Sequence, residues 1–287
     1  MATRTAAAVS IIEDPLVLSD RDLGRVVKLV YERAGINLHD GKRELITARL
    51  QKRLRTLGLT SFGLYLDLLE RDGTGGEMTA FLDALATNHT SFFREPQHFE
   101  LLRSRVIPEL MARPGHPAID IWSAACSTGE EPYTLAMTLA EALPSGAEGF
   151  RMLASDLSTK ALTAARSATY KMDRVKDMPL DQLRRHFERG MGAQQGLARV
   201  AAPLRRSIEF AQLNLIEIGD LKRNFDVIFC RNVMIYFDVH VQQRVVSMLE
   251  RHLRPNGYLF ISHSESLNGV SHGLRWIAPA VYQRRLA

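Results

Sequence analysis

Two regimes of hydrophobic spacing divide the chain. Over residues 19–90 apolar positions recur at three- and four-residue intervals, the period of an amphipathic helix. Ser19 is placed to cap a helix carrying Leu23, Val26, Val27 and Val30. After Gly41, the positions Ile46, Leu50, Leu54 and Leu57 share one helical face, and Gly58 is placed to end that helix. Phe62–Leu69 and Met78–Leu85 predict two further helices, and this stretch contains no convincing strand. From about residue 117 the pattern changes. Ala118–Trp122, Phe150–Ala154, Phe225–Cys230 and Gly257–Ser262 predict strands, while Tyr133–Leu143, Lys160–Ala168 and Val239–Leu253 predict helices. Pro255-Asn256-Gly257 predicts a turn. This alternation belongs to an α/β fold: a mainly parallel sheet with helices on both faces. Residues 189–213 interrupt it. Several glycines precede two short apolar runs, Leu197–Ala201 and Ser207–Phe210, the pattern of a small antiparallel insertion.

Composition adds limits. The 287 residues suffice for two ordinary domains, and 46% apolar with 24% charged residues is globular composition. Residues 1–18 read as a flexible tail without a secretory signal, and no run approaches the roughly 20 apolar residues of a membrane span. Cys126 and Cys230 stand apart from any histidine cluster. They read as reduced thiols of a cytoplasmic protein rather than as a disulfide or a metal site. The net charge of +5 points to an acidic partner: nucleic acid, a membrane surface or an acidic protein.

The candidate chemistry lies in four loops that follow strands, where an open α/β sheet binds its ligands. The first is Ser123-Ala-Ala-Cys-Ser-Thr-Gly129-Glu130-Glu131-Pro132. Two carboxylates at a helix N-terminus repel a phosphate but suit a cation; they also serve as ordinary first-turn residues. The second is Asp156, placed to accept hydrogen bonds from ribose hydroxyls or to cap the next helix. Together these two loops fit a nucleoside that is positively charged and carries no phosphate. That describes S-adenosylmethionine, and neither NAD nor ATP. The third is Asn214-Leu215, suited to clasping an adenine, and the fourth is Cys230-Arg231-Asn232 running on to Tyr236-Phe237.

In this order the loops resemble the chemotaxis receptor methyltransferase family, CheR. The resemblance rests on Asn88-His-Thr-Ser-Phe-Phe-Arg94-Glu, Trp122–Tyr133, Ala154-Ser-Asp156, Phe229–Asp238, Leu253-Arg-Pro-Asn-Gly-Tyr-Leu and His263-Ser-Glu265. It runs from about residue 19 to the C-terminus. It implies a helical receptor-recognition domain over residues 19–90. A class I, Rossmann-like S-adenosylmethionine-dependent methyltransferase domain follows over residues 91–287, with a β-subdomain inserted at about 189–213. The resemblance assigns cofactor contacts to Asn88, Thr90, Arg94, Glu130, Asp156, Asn214, Leu215, Arg231 and Asn232. Glu131 stands beside Glu130, and the choice between them is open. Phe92 and Phe93 read as core residues.

The implied reaction is methyl-esterification of glutamate side chains on methyl-accepting chemotaxis receptors for sensory adaptation, with S-adenosylhomocysteine as product. A glutamate with a reference pKa of about 4.3 is ionised at neutral pH, so this nucleophile needs no general base. Arg94, Arg231 and Tyr236 are placed to orient it; Arg94 and Tyr236 are the candidate catalytic pair. Lys42, Arg49 and Arg53 fall within roughly 40° of one another on a helix and offer a basic stripe to the receptor. The β-subdomain resembles that of members that dock on a pentapeptide at the receptor's C-terminus. A nucleic-acid methyltransferase is the rival enzyme, but Arg-Asn-Val-Met stands where a base-amino methyltransferase carries its Pro-Pro loop. A non-catalytic module is the other rival, opposed by the intact acidic and Arg-Asn loops.

Overall fold

The computed structural model describes residues 16–38, 40–114 and 118–286, which form two compact units. Most of the expected N-terminal tail, residues 1–15, lies outside the described residues. Leu16–Leu18 do not behave as a tail: Leu18 is buried, and the Leu16 and Leu18 carbonyls accept hydrogen bonds from Gln51 and Arg43.

The first unit, Met1–Lys28 with His39–Leu85, holds most of α1 (Asp20–Ala34), α2 (Arg43–Leu57), α3 (Phe62–Arg71) and α4 (Gly76–Leu85). The expected caps are present. Ser19 Oγ accepts from the Asp22 N–H at 3.1 Å, and Gly58 closes α2 in the left-handed conformation with φ 66°. Leu23, Val26, Ile46, Leu50, Leu54, Phe62, Tyr65, Leu66 and Phe81 are buried. Two members of the expected basic stripe are committed inside this unit. Arg49 donates to the Leu85 carbonyl at 2.6 Å, and Arg53 makes a two-pronged contact with Glu77, which also accepts from the Tyr65 hydroxyl. Arg53 therefore neutralises a half-buried carboxylate on α4 instead of standing free. Lys42 is half-buried where α2 begins, and Lys52 and Arg55 are exposed cations of α2.

The second unit, Leu29–Leu38 with Ala86–Ala287, begins with the last turns of α1. A helical run follows, made of α5 (Pro96–Leu101), a π-helical stretch (Leu102–Val106) and α6 (Ile107–Met111). The main sheet then starts with β1 (Ile119–Ala124), α7 (Glu130–Ala142), β2 (Phe150–Asp156) and α8 (Thr159–Ser167). The small subdomain holds β3 (Thr169–Lys171), α9 (Leu180–His186), β4 (Phe187–Arg189) and β5 (Leu197–Val200). The chain returns through α10 (Ala202–Arg206) to β6 (Ile208–Gln212), β7 (Phe225–Phe229), α11 (Val239–His252), β8 (Leu253–Phe260), β9 (Leu274–Ala278) and β10 (Val281–Arg284).

The seven strands order as β6-β2-β1-β7-β8-β10-β9. The first five are parallel, and β10 and β9 are added antiparallel. Alternation along each strand feeds two apolar layers. Ile119 and Ile121 pack with α6 and α7 on one face; Trp122 and Ala124 pack with α11 on the other. The order reverses between β1 and β7, so the ligand crevice opens beyond their carboxyl ends. At the opposite end a charged clamp ties the same strands together. Arg254 bridges the buried Asp120 and Asp226, Arg151 grips Asp120 through two bonds of 2.9 and 2.8 Å, and the Asp120 N–H donates to Asp226.

Two expectations about strands change. The antiparallel insertion lies earlier than 189–213: its strands order as β3-β5-β4 and span residues 169–200. The run Ser207–Phe210 instead forms β6, which pairs parallel with β2 from Ile208↔Met152 onward, with Ile208 in the core. The predicted turn at Pro255-Asn256-Gly257 is a bulge inside β8, where the register on β7 jumps from Phe225↔Leu253 to Val227↔Tyr258.

Leu249 on α11 is fully buried against the sheet. Leu249→Ala is expected to cost about 2–5 kcal/mol of stability. Urea denaturation followed by circular dichroism reads this directly, and a loss below about 1 kcal/mol contradicts the packing described.

Candidate active site

A single cleft gathers the expected loops. It is lined, among others, by Asn88, Thr90, Arg94, Glu131, Asp156, Asn214, Leu215, Arg231, Asn232 and Tyr236. All belong to the second unit, as do Ala34 and Ile36 at its edge.

The β1–α7 loop forms the floor. Ala125 and Ser127 adopt positive φ values of 80° and 50°, and the N–H groups of Ala125 and Cys126 both donate to the Ser155 carbonyl at 2.8 Å. The loop is thereby folded onto the end of β2. Gly129 is required by its surroundings. Its φ is 98°, and a Cβ there would sit 2.7 Å from the Tyr170 hydroxyl, which donates to the Thr128 carbonyl. Asp156 joins the two strand ends: its carboxylate accepts from the Ser127 N–H at 2.7 Å and the Ser158 N–H at 2.9 Å. Asp156 also lines the cleft.

Glu130 and Glu131 separate sharply. Glu130 was the expected cofactor contact, yet it is 1% exposed and is absent from the cleft lining. It turns away toward the Thr128 hydroxyl and the Arg174 guanidinium. Arg174 also donates to the Thr90 carbonyl, so this pair ties the small subdomain to the segment before α5. Glu131, about 100° further round the helix, faces the cleft. It accepts from Ser123 Oγ at 2.8 Å and from Arg231 at 3.0 Å. Burial pushes its carboxyl up, against the opposing pull of Arg231 and Ser123.

Arg231 is 4% exposed and held between two carboxylates, Glu131 and Glu95, each at 3.0 Å. It also donates to the Arg94 carbonyl at 2.6 Å, and its guanidinium lies 5.6 Å from the Phe99 ring centroid. Asn232, at φ 60°, donates to Ser262 Oγ at 2.7 Å. Glu265 completes this loop by accepting from the Val233, Met234 and Ser262 N–H groups. Burial pushes the Glu95 carboxyl up, but Ser262, Arg231 and the His263 N–H outweigh it and hold it at about 2. Ligating atoms of Glu95, His98 and His263 lie within 4.8 Å of one another. The fixed charge of Arg231 on the shared Glu95 oxygen works against a second cation there.

Arg94 differs from Arg231. Its guanidinium lines the cleft and donates only to the His89 carbonyl, with no carboxylate partner among the described residues. Asn214 donates to the Arg33 carbonyl at 2.6 Å, which fixes it beside Leu215 at the apolar edge of the cleft. Phe92 and Phe93 pack on Tyr170 and Phe99, as core residues do. Cys126 and Cys230 are buried free thiols, and burial pushes both up. Sequence reasoning missed Glu95 and Ser262 as neighbours of the site. The helix start at Pro96 was the one local signal near Glu95.

The cleft therefore combines the carboxylates of Glu131 and Asp156, a guanidinium at Arg94 with no carboxylate partner among the described residues, and apolar lining from Leu215 and Phe237. A ligand carrying ribose, a cationic centre and a carboxylate matches that donor set. Comparison with known proteins agrees. Residues 88–281 match the family described as CheR methyltransferase, SAM binding domain, and residues 21–86 match CheR methyltransferase, all-alpha domain. The chain is 44% identical over 268 residues to the chemotaxis protein methyltransferase of Escherichia coli (strain K12), covering 93% of this chain and 92% of that protein. It is 43% identical over 262 residues to chemotaxis protein methyltransferase 2 of Pseudomonas aeruginosa, covering 91% of this chain and 92% of that protein. A helical first unit, a mainly parallel sheet with a small antiparallel insertion, a cleft at the switch point and these matches converge: the chain belongs to the CheR methyltransferase family and is an S-adenosylmethionine-dependent methyltransferase.

Proposed function

We propose that the chain esterifies glutamate side chains of a methyl-accepting chemotaxis receptor in the cytoplasm, leaving glutamate 5-O-methyl esters. The observation that carries this reading is the division of charge in the cleft. Arg94 has no acidic partner among the described residues, while Arg231 is held by two. Asp156 would bind the ribose, Glu131 the cationic end, Arg94 the carboxylate, and Asn214 with Leu215 the adenine of S-adenosylmethionine. Asn88, Thr90 and Asn232 line the same cleft. When bound, the cofactor supplies an electrophilic methyl group on a sulfonium.

The chain's own residues then have a limited task. A glutamate nucleophile is ionised well below neutral pH, so no proton has to be removed. Glu131 and Asp156 are already hydrogen-bonded, which suits holding rather than proton transfer. Arg94 and Tyr236 line the cleft and would orient the incoming carboxylate, and closing the crevice around it would strip water from the nucleophile.

Receptor contact is proposed through α2, with Lys42, Arg49 and Arg53 as the family-implied residues. Because Arg49 and Arg53 are bonded within their own unit, the exposed Lys52 and Arg55 are better placed to meet an acidic helix. A second tether is proposed at β4. Its even-numbered neighbours bond to β5, as in Gly190 N–H to Leu197 and Ala201 N–H to His186. The Arg189 N–H then faces outward, ready to add an extended peptide, whereas the Phe187 N–H already donates to the Leu183 carbonyl at the end of α9.

Labelled S-adenosylmethionine incubated with the enzyme and receptor should give label released as methanol in mild base. Stable label, or label on RNA instead, overturns the glutamate ester. Asp156→Ala should weaken S-adenosylhomocysteine binding more than tenfold by calorimetry with an unchanged circular dichroism spectrum; an unchanged dissociation constant removes Asp156 from the site. Arg189→Pro deletes this outward donor of β4. It should lower affinity for a receptor C-terminal peptide at least tenfold, and equal affinity removes the tether.

A further inference from the structure

Glu95 does not line the cleft, yet two cleft residues depend on it. One carboxylate oxygen receives Arg231 at 3.0 Å and the His263 N–H at 3.2 Å. The other receives Ser262 Oγ at 2.7 Å, and that hydroxyl accepts in turn from the Asn232 amide at 2.7 Å. A single carboxylate behind the wall thus sets the guanidinium of Arg231 directly and the amide of Asn232 through one hydroxyl.

The backbone at this position points the same way. Glu95 sits at the N-cap of α5 with φ 58° and ψ 67°, the left-handed region that favours glycine or asparagine. Its side chain makes no capping bond to the helix it precedes. The usual reason for an acidic residue at an N-cap is therefore missing, and the unfavourable backbone is retained for another purpose. That backbone turns the carboxylate back toward β7 and β8, where Arg231 and Ser262 begin their loops. The preceding carbonyl, Arg94 O, accepts from Arg231 as well, so the Arg94-Glu95 kink grips the guanidinium twice.

Arg231 would not be set by Glu131 alone. A planar guanidinium held by one carboxylate through NH1 can still pivot about that contact. Glu95 on NH2 fixes the second prong, and the Phe99 and Phe229 rings lie within 6 Å of its centre.

We infer that Glu95 is a positioning residue for the methyl-transfer site: it orients Arg231 and, through Ser262, Asn232 for binding S-adenosylmethionine. This rests on the proposed roles of Arg231 and Asn232 in the cleft. The test compares wild type, Glu95→Gln and Ser262→Ala, with three readouts taken well below each variant's Tm: the Kd for S-adenosylhomocysteine, the KM for S-adenosylmethionine, and the KM for receptor. Glu95→Gln keeps size and one acceptor but removes the charge that holds Arg231. Its Kd and cofactor KM should rise at least tenfold while the receptor KM stays within twofold. Ser262→Ala should give a smaller rise, because Glu95 keeps its direct contact with Arg231. The Glu95→Gln/Ser262→Ala double variant should lose less than the product of the two single losses, since both act through one carboxylate. A merely structural role lowers Tm and leaves Kd and cofactor KM of the folded enzyme within twofold of wild type; that result overturns the inference. If wild type itself binds no S-adenosylhomocysteine or makes no base-labile ester, the underlying reading of the cleft fails instead. The wild-type arm separates the two failures.

Discussion

Arg231 carries a permanent positive charge that is almost wholly removed from water, and much of the cleft is arranged around neutralising it. Two carboxylates, a backbone carbonyl and two aromatic faces surround its guanidinium. These partners come from three parts of the chain: Arg94, Glu95 and Phe99 from the start of α5, Glu131 from α7, and Phe229 from β7. Removing one partner from a buried ion pair costs about 3–5 kcal/mol, because the other is left without compensation. The constraint therefore works in both directions. It ties the start of α5 and the first turn of α7 to the loop that follows β7.

The sheet supplies the frame that makes this arrangement reproducible. At the far end of β1 and β7, the Asp120–Asp226 pair is held by Arg151 and Arg254, so the strands on either side of the crevice are locked together at the end away from the cleft. At the near end, Asp156 and the folded-back Ala125–Gly129 loop join β1 to β2. Between the two ends lie apolar layers in which the β1 residues are all buried. The loops can then differ in chemistry without altering the frame, as expected where function is carried at strand ends on a conserved architecture.

The small subdomain is joined to the site by charge as well as by packing. Glu130 and Arg174 pair beside Thr90, and Phe92 packs edge-on against Tyr170 and Phe187. The sheet proposed to bind a receptor peptide thus shares partners with the segment that carries Thr90 and Arg94. Glu130 is accordingly a structural link, and its neighbour Glu131 takes the place at the cleft.

Much of the frame was legible in the sequence. The first strand read as the apolar run Ala118–Trp122, and helices such as α1 and α2 declare themselves by period and by the Ser19 and Gly58 caps, because these features depend on residues close together in the chain. The loops carrying Asp156, Arg231 and Asn232 were legible for the same reason: each follows a recognisable strand. What the sequence left open depends on distant partners. Ser207–Phe210 looks like any short apolar run until β2 pairs with it, and Arg53 looks exposed until Glu77 arrives from another helix. Glu130 and Glu131 are adjacent, and both lie in the first turn of α7. Only the rotation of α7 on the sheet, about 100° per residue, decides which one meets Arg231 and which meets Arg174. Glu95 carries no local mark of its role, since its partners Arg231 and Ser262 lie more than a hundred residues away and are brought to it by the sheet.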